Sequence, residues 1–155
     1  MGERAQTSLE FVIIVGIFLV MIVSIYPYIL RENELNKAVA AARDGASYAV
    51  GMRGMGFGHD GADLPNYTGV IKIVNLTLED LGTDPSGRKC YRIRFYLSVP
   101  EYMKESSCSS SSVGMSVRRQ AVRFIYRAFY GNWTPPDDLR VCTERFNFTT
   151  ACSFV

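Results

Sequence analysis

The chain has a single histidine, His59, so the side chain most used for proton transfer near neutral pH is almost missing. No C-x-x-C pair occurs, and no nucleophile elbow or phosphate-binding loop of the familiar spacings can be found. These absences leave no catalytic constellation, no zinc pattern and no expected cofactor or metal. Strong charge of one sign is also lacking. The formal net charge is +2, which argues neither for nor against an anionic partner. The most informative absence is local: from Phe11 to Leu30, "FVIIVGIFLVMIVSIYPYIL", there is no charged residue at all.

At 1.5 Å rise per residue such a run spans about 30 Å, the thickness of a bilayer's hydrocarbon core. The chain therefore spends part of its life in a membrane, and its 155 residues leave room for one further domain of ordinary size. Glu10 stands against the start of the run. A charge costs on the order of 2.5–3.5 kcal/mol at the centre of a span and less near its end, so a carboxylate there calls for a partner or a local structural role. "TSLE" offers the local role: Thr7 and Glu10 have the spacing of a capping box.

Helical patterning continues past Arg31. Leu35, Ala38, Val39, Ala42, Ala46, Ala49 and Val50 fall on one helical face, with Glu34, Lys37, Arg43, Asp44 and Ser47 opposite. A helix from about residue 7 to 50 would be roughly 65 Å long, twice what a bilayer needs, so its second half must pack in water on the downstream domain. Pro27 removes one backbone donor inside the helix and predicts a kink or local melting.

"GMRGMGFGHDGAD" then ends the helix and reads as a linker over residues 51–65. Gly56, Gly58 and Gly61 match G-x-G-x-x-G, with Glu79 near the acidic position of a dinucleotide fingerprint. That fingerprint needs a strand before and a helix after, whereas a helix precedes and a loop with Pro65 follows. His59, Asp60 and Asp63 read as solvated loop residues.

Residues 66–155 read as strands: "GVIKIVNLTLE", "CYRIRFYLSV", "SVRRQAVRFIYRAFY" and "RVCTERFNFTT", separated by turn material such as "TDPSG" and "NWTPPDD". In the second, Tyr91, Ile93, Phe95, Leu97 and Val99 share one face and Arg92 and Arg94 the other. In the third, Val122, Phe124 and Tyr126 oppose Arg119, Arg123 and Arg127; those arginines are also four apart, so a helix over 116–130 is the alternative. The arginine rows fit a solvated strand face that protects an edge better than a nucleic-acid or acidic-partner surface. The expected fold class is α+β: a long N-terminal hydrophobic helix followed by an antiparallel β-sheet domain packed on its C-terminal half.

Four cysteines, Cys90, Cys108, Cys142 and Cys152, all follow the apolar run. An even number beyond a membrane segment suggests an oxidising exterior and two disulfides. Three connectivities are possible; a local Cys142–Cys152 loop, leaving Cys90–Cys108, is the favoured one. The alternative is four buried thiols in an intracellular domain. Four of the six asparagines, Asn66, Asn75, Asn132 and Asn147, lie in N-x-[ST] sequons, none of them before residue 66. They point to a glycosylated exterior domain, provided that Asn75 and Asn147, in expected strands, face solvent.

The opening residues carry a family resemblance. "AQTSLEF" resembles the Q-x-S-x-E-F processing motif of archaeal class III signal peptides, found in type IV pilin-like proteins, with Gln6, Ser8, Glu10 and Phe11 matching. The resemblance covers residues 4–30. It implies a leader, residues 1–5, removed by a membrane prepilin peptidase between Ala5 and Gln6, and a mature helix of residues 6–50. Residues 6–30 would form the membrane or filament core and residues 31–50 the amphipathic part. It implies assembly positions at Gln6, Ser8, Glu10 and Pro27. It also implies an adhesive, extracellular filament built with pilus assembly machinery from copies of this chain, with no nucleic acid as partner. Ala5 departs from the glycine common in related leaders. A secretory signal peptide fits poorly, because the apolar run is too long and ends without an A-x-A-like site. The alternative function is a membrane-anchored surface glycoprotein that does not polymerise. Flanking charges do not choose a topology, since Glu3 and Arg4 on one side face Arg31 and Glu32 on the other.

Overall fold

A computed structural model of the chain describes residues 3–56, 71–104, 107–137 and 139–155. The expected linker falls largely outside these residues. So do Asn66, His59, Asp60 and Asp63. The chain divides into two compact units, Met1–Asn36 and Lys37–Val155.

The first unit is helical. Helix α1, Glu3–Gly54, begins before the expected position 7 and runs past the expected end at 50. From Glu10 to Ile29 every residue is exposed, including all the large apolar ones. The helix is long and apolar enough to cross a membrane. The local melting expected at Pro27 is absent, for helical structure continues through it. Proline deletes one donor, and the hydrogen bonds on either side hold the turn together. The capping box is also corrected. Thr7 lies inside the helix rather than at its cap, because residues 3–6 are themselves helical.

The second unit is built on a four-stranded sheet of order β1-β2-β4-β3, with β1 Lys72–Thr83, β2 Lys89–Ser98, β3 Arg140–Cys142 and β4 Phe146–Phe154. The expected antiparallel meander is half right. β1 and β2 form a hairpin and β3 and β4 another, but β4 inserts beside β2 in parallel, so the sheet is mixed. The hairpin turn after β1 is set by Asp84, whose carboxylate accepts from the Ser86 and Arg88 backbone N–H groups, and by Gly87 at φ +80°. The Arg88 hydrogen bonds, backbone first, hold the Asp84 carboxyl below its ordinary range.

The parallel pairing is possible because the segment expected as a third strand is helix α2, Ser112–Tyr130. It supplies the crossover that parallel neighbours require. Its caps are explicit: the Ser111 hydroxyl accepts from the Gly114 N–H at 2.9 Å, and Gly131, at φ +72°, donates to the Arg127 carbonyl. Val113, Val117, Ala121 and Ile125 recur every four residues and are buried. That period outweighs the alternation of Val122, Phe124 and Tyr126.

One face of the sheet carries Ile93, Phe95, Leu97, Phe146 and Phe148, all essentially inaccessible, and α2 packs over β4 and β3. The part of α1 from Lys37 onward runs antiparallel to α2 and beside β1. Lys37 Nζ lies 5.0 Å from the Phe129 ring centre, and Tyr48 and Phe124 have ring centres 5.7 Å apart. The Arg53 guanidinium donates to the Ser116 hydroxyl and the Ser112 carbonyl. The buried stripe of α1 is small: Ala38, Ala42, Ala46 and Ala49, with Gly45 among them. A Cβ at Gly45 would come within 2.6 Å of the Gln120 carbonyl oxygen and 2.9 Å of the Ala121 Cα.

In an exposed helix interior, Gly→Ala stabilises by about 0.5–1 kcal/mol. Gly51, with nothing within 4 Å of its would-be Cβ, should follow that rule. Gly45→Ala should reverse the sign, with about 1–3 kcal/mol lost to forced separation of the helices. Thermal unfolding of the two full-length variants in detergent checks both; a stabilising shift in Gly45→Ala equal to that in Gly51→Ala would remove Gly45 as the contact point.

Candidate functional site

The chemistry-bearing positions fall in five places. At the N-terminus, Ala5, Gln6 and Ser8 lie within α1, their side chains outside the described set, and Glu10 is exposed on the next turn. Residues 6 and 10 are one helical turn apart and so share a face.

The cysteines are brought together differently from the favoured pairing. One disulfide joins Cys108, just before α2, to Cys152 on β4; Cys90 and Cys142 are free and partly exposed. Strand order gives the reason. Cys90 on β2 and Cys142 on β3 both pair with Asn147 on β4, so a whole strand lies between them. Two strand spacings are about 9–10 Å, beyond the roughly 7 Å between Cα atoms that a disulfide spans. Cys142 and Cys152 share a hairpin, but Cys142 sits opposite Asn147, five positions from Cys152. Gly114 makes the actual bridge possible: its missing side chain leaves room for the Cys108 carbonyl and, at 2.7 Å from a would-be Cβ, the Cys152 sulfur. Thiol labelling of the unfolded, unreduced protein should give two labels per chain, both mapping to Cys90 and Cys142. Reduction should cost up to about 4 kcal/mol in the chain-entropy account of this loop. Zero or four labels would contradict the pairing.

The sequon asparagines also separate. Asn75 is exposed on β1, its Oδ1 accepting from the Leu76 N–H. Asn132 is exposed in the loop after α2, and its Oδ1 accepts from the Trp133 N–H at 2.7 Å and from the Thr134 hydroxyl. Asn147 is 8% exposed between two flanking strands, so the solvent-facing condition set for it is not met. Peptide mapping of protein from its native host should find sugar at Asn75 or Asn132 and none at Asn147; a glycan on Asn147 would require β4 to be displaced.

On the sheet face away from the helices, Arg94 grips Glu79 with two hydrogen bonds, Nε to Oε1 at 2.6 Å and Nη2 to Oε2 at 3.1 Å, and Arg92 stands 3.9 Å from the same carboxylate. The Arg94 hydrogen bonds chiefly, then the charges of Arg94 and Arg92, hold the Glu79 carboxyl below its ordinary range. Glu79 is thus tied to strand pairing rather than facing a nucleotide, and helix α1, not a strand, leads into the glycine-rich segment. Near the edge of this face Arg118, from α2, donates to the Thr150 carbonyl at 2.9 Å; burial, then the charge of Arg92, lowers its pKa.

The fifth place lies beside helix α2. Tyr48, Gln120, Arg123, Phe124, Arg127, Trp133 and Thr134 line a cleft of about 600 Å³. Reading 116–130 as a strand put Phe124 on the face opposite Arg123 and Arg127. As a helix, positions 120, 123, 124 and 127 share one face, a signal present in the four-residue spacing of the arginines. Comparison with protein-family models, with curated proteins and with solved structures finds no match.

Proposed function

We propose that this chain is a structural subunit of an archaeal type IV-like adhesive pilus. A prepilin peptidase would trim it between Ala5 and Gln6, and pilus assembly machinery would then draw it from the membrane into a filament through α1. The observation that carries this reading is the division of labour along α1. Its first part exposes an uncharged, largely apolar surface from Phe11 to Ile29, while its last part buries alanines, Gly45 and the hydrogen-bonded Arg53 within the Lys37–Val155 unit. A lone anchor would explain the first part. It would not explain Gln6, Ser8, Glu10 and Phe11 in processing register directly before it.

Moving apolar helices from lipid to one another yields no hydrophobic gain, so shape and polar pairing must steer assembly. Glu10 supplies the polar element. Cleavage before Gln6 creates an α-amine one helical turn from the Glu10 carboxylate, a cationic group and an anionic group on the same face. In a filament core neither is tolerated alone, since breaking a buried pair typically costs about 3–5 kcal/mol. Glu10 would pair with the Gln6 amine of a neighbouring subunit and set the axial register.

Intact mass after deglycosylation should show loss of residues 1–5, and purified filaments should contain this chain as their repeating component. Glu10→Gln should leave cleavage intact and strand the trimmed subunits in the membrane. Filaments of normal yield from that variant would falsify the pairing role. A mature N-terminus still at Met1, with no filaments, would instead favour the anchored surface glycoprotein.

A further inference from the structure

The cleft at Trp133 brings two features together. The first is aromatic. Tyr48 is 49% exposed and Trp133 43% exposed, and Phe124 lies between them, 5.7 Å and 5.1 Å from their ring centres. The second is cationic. Arg127 stacks on Trp133 with its guanidinium carbon 4.0 Å from the ring centre, and Arg123 stands one turn earlier on α2. Among the described residues neither arginine has a carboxylate within ion-pair distance. Among the described residues that line the cleft none is acidic. Elsewhere on this unit Arg94, Arg88 and Arg140 are matched by the carboxylates of Glu79, Asp84 and Asp137, while Arg118 donates to backbone carbonyls. Like charges one helical turn apart repel, so placing Arg123 beside Arg127 costs stability that a bound anion would return.

We propose that this cleft is a binding site for an acidic saccharide, a pyranose ring bearing a carboxylate. The carboxylate would accept from Arg123 and Arg127, whose planar donors suit two-point recognition of that group. The apolar C–H face of the ring would lie against the Tyr48 and Trp133 side chains, which offer amphipathic surface at little entropic cost. Gln120 and Thr134 at the rim supply an amide and a hydroxyl for ring hydroxyl groups. A volume of about 600 Å³ lies within the usual range for small-ligand sites. A nucleic-acid strand fits less well, since its phosphates need a basic track several nucleotides long and the two arginines lining the cleft are one helical turn apart. The cleft lies wholly within the Lys37–Val155 unit, so binding would not depend on polymerisation.

Trp133 is the only tryptophan in the chain and reports on the cleft directly. Full-length protein in detergent micelles, deglycosylated so that no sugar on Asn132 competes at the rim, is titrated with trigalacturonate, with neutral maltotriose and with oligothymidylate. Trigalacturonate should change the Trp133 emission saturably, with maltotriose weaker by about tenfold or more, the scale of a charged hydrogen bond. Arg123→Gln should weaken trigalacturonate binding by a similar factor, and Tyr48→Ala should weaken it too. Lys72→Gln, on exposed β1 outside the cleft, should leave it unchanged. The assignment is overturned by an unsaturable response, by equal affinity for maltotriose, or by an equal loss in Lys72→Gln. Tighter binding of oligothymidylate would overturn it in favour of nucleic acid.

Discussion

The close approach of two helix backbones at Gly45 governs the architecture of the C-terminal unit. A hydrophobic sheet face must be covered; α2 packs over β4 and β3, and the part of α1 from Lys37 onward lies antiparallel against α2 and beside β1. They fit only because α1 presents alanines and a glycine, so that dispersion between backbones replaces the burial of large side chains. Small contact surfaces give modest stabilisation, and specific hydrogen bonds make up the difference. Arg53, 7% exposed near the end of α1, donates to Ser112 and Ser116 at the start of α2, where its charge also complements the C-terminal end of its own helix. The disulfide acts at that same end of α2, tying the segment before it to β4.

Much of this was legible in the residues, and the unread parts have identifiable causes. The apolar helix is dictated by composition, and the small stripe of α1 by its three-and-four spacing. The β1–β2 hairpin follows from alternation, with Ile93, Phe95 and Leu97 buried as their pattern requires. Helix α2 was obscured because "VRFIYRAFY" is rich in residues that favour strands, and propensity is a weak prior beside tertiary burial. Ser111 and Gly131 mark its ends, but a serine in a serine-rich run and a glycine before a loop carry little contrast. Misreading α2 then propagated. Without a crossover helix β4 could not be placed beside β2, and without that order the cysteine pairing could not be found.

The same dependence explains the candidate sites. Asn147 and Asn75 look alike in sequence, each in a strand-like sequon, and only strand order distinguishes an interior position from an exposed one. The cleft at Trp133 draws on α1, α2 and the following loop, and no local pattern announces it.

The interior position of β4 has a consequence for how the unit is made. β2 pairs on one side with its hairpin neighbour, which is available at once, and on the other with a strand that emerges only after α2 and β3. Until β4 arrives, the growing chain carries a hairpin with an open edge and a half-covered row of aromatic and aliphatic side chains, the state in which sheets are most prone to pair with the wrong partner. Long-range parallel pairing is also slow to form. Protection of the growing chain would therefore matter most over the interval between β2 and β4, and oxidation of Cys108 with Cys152 would fasten β4 in place once it has docked.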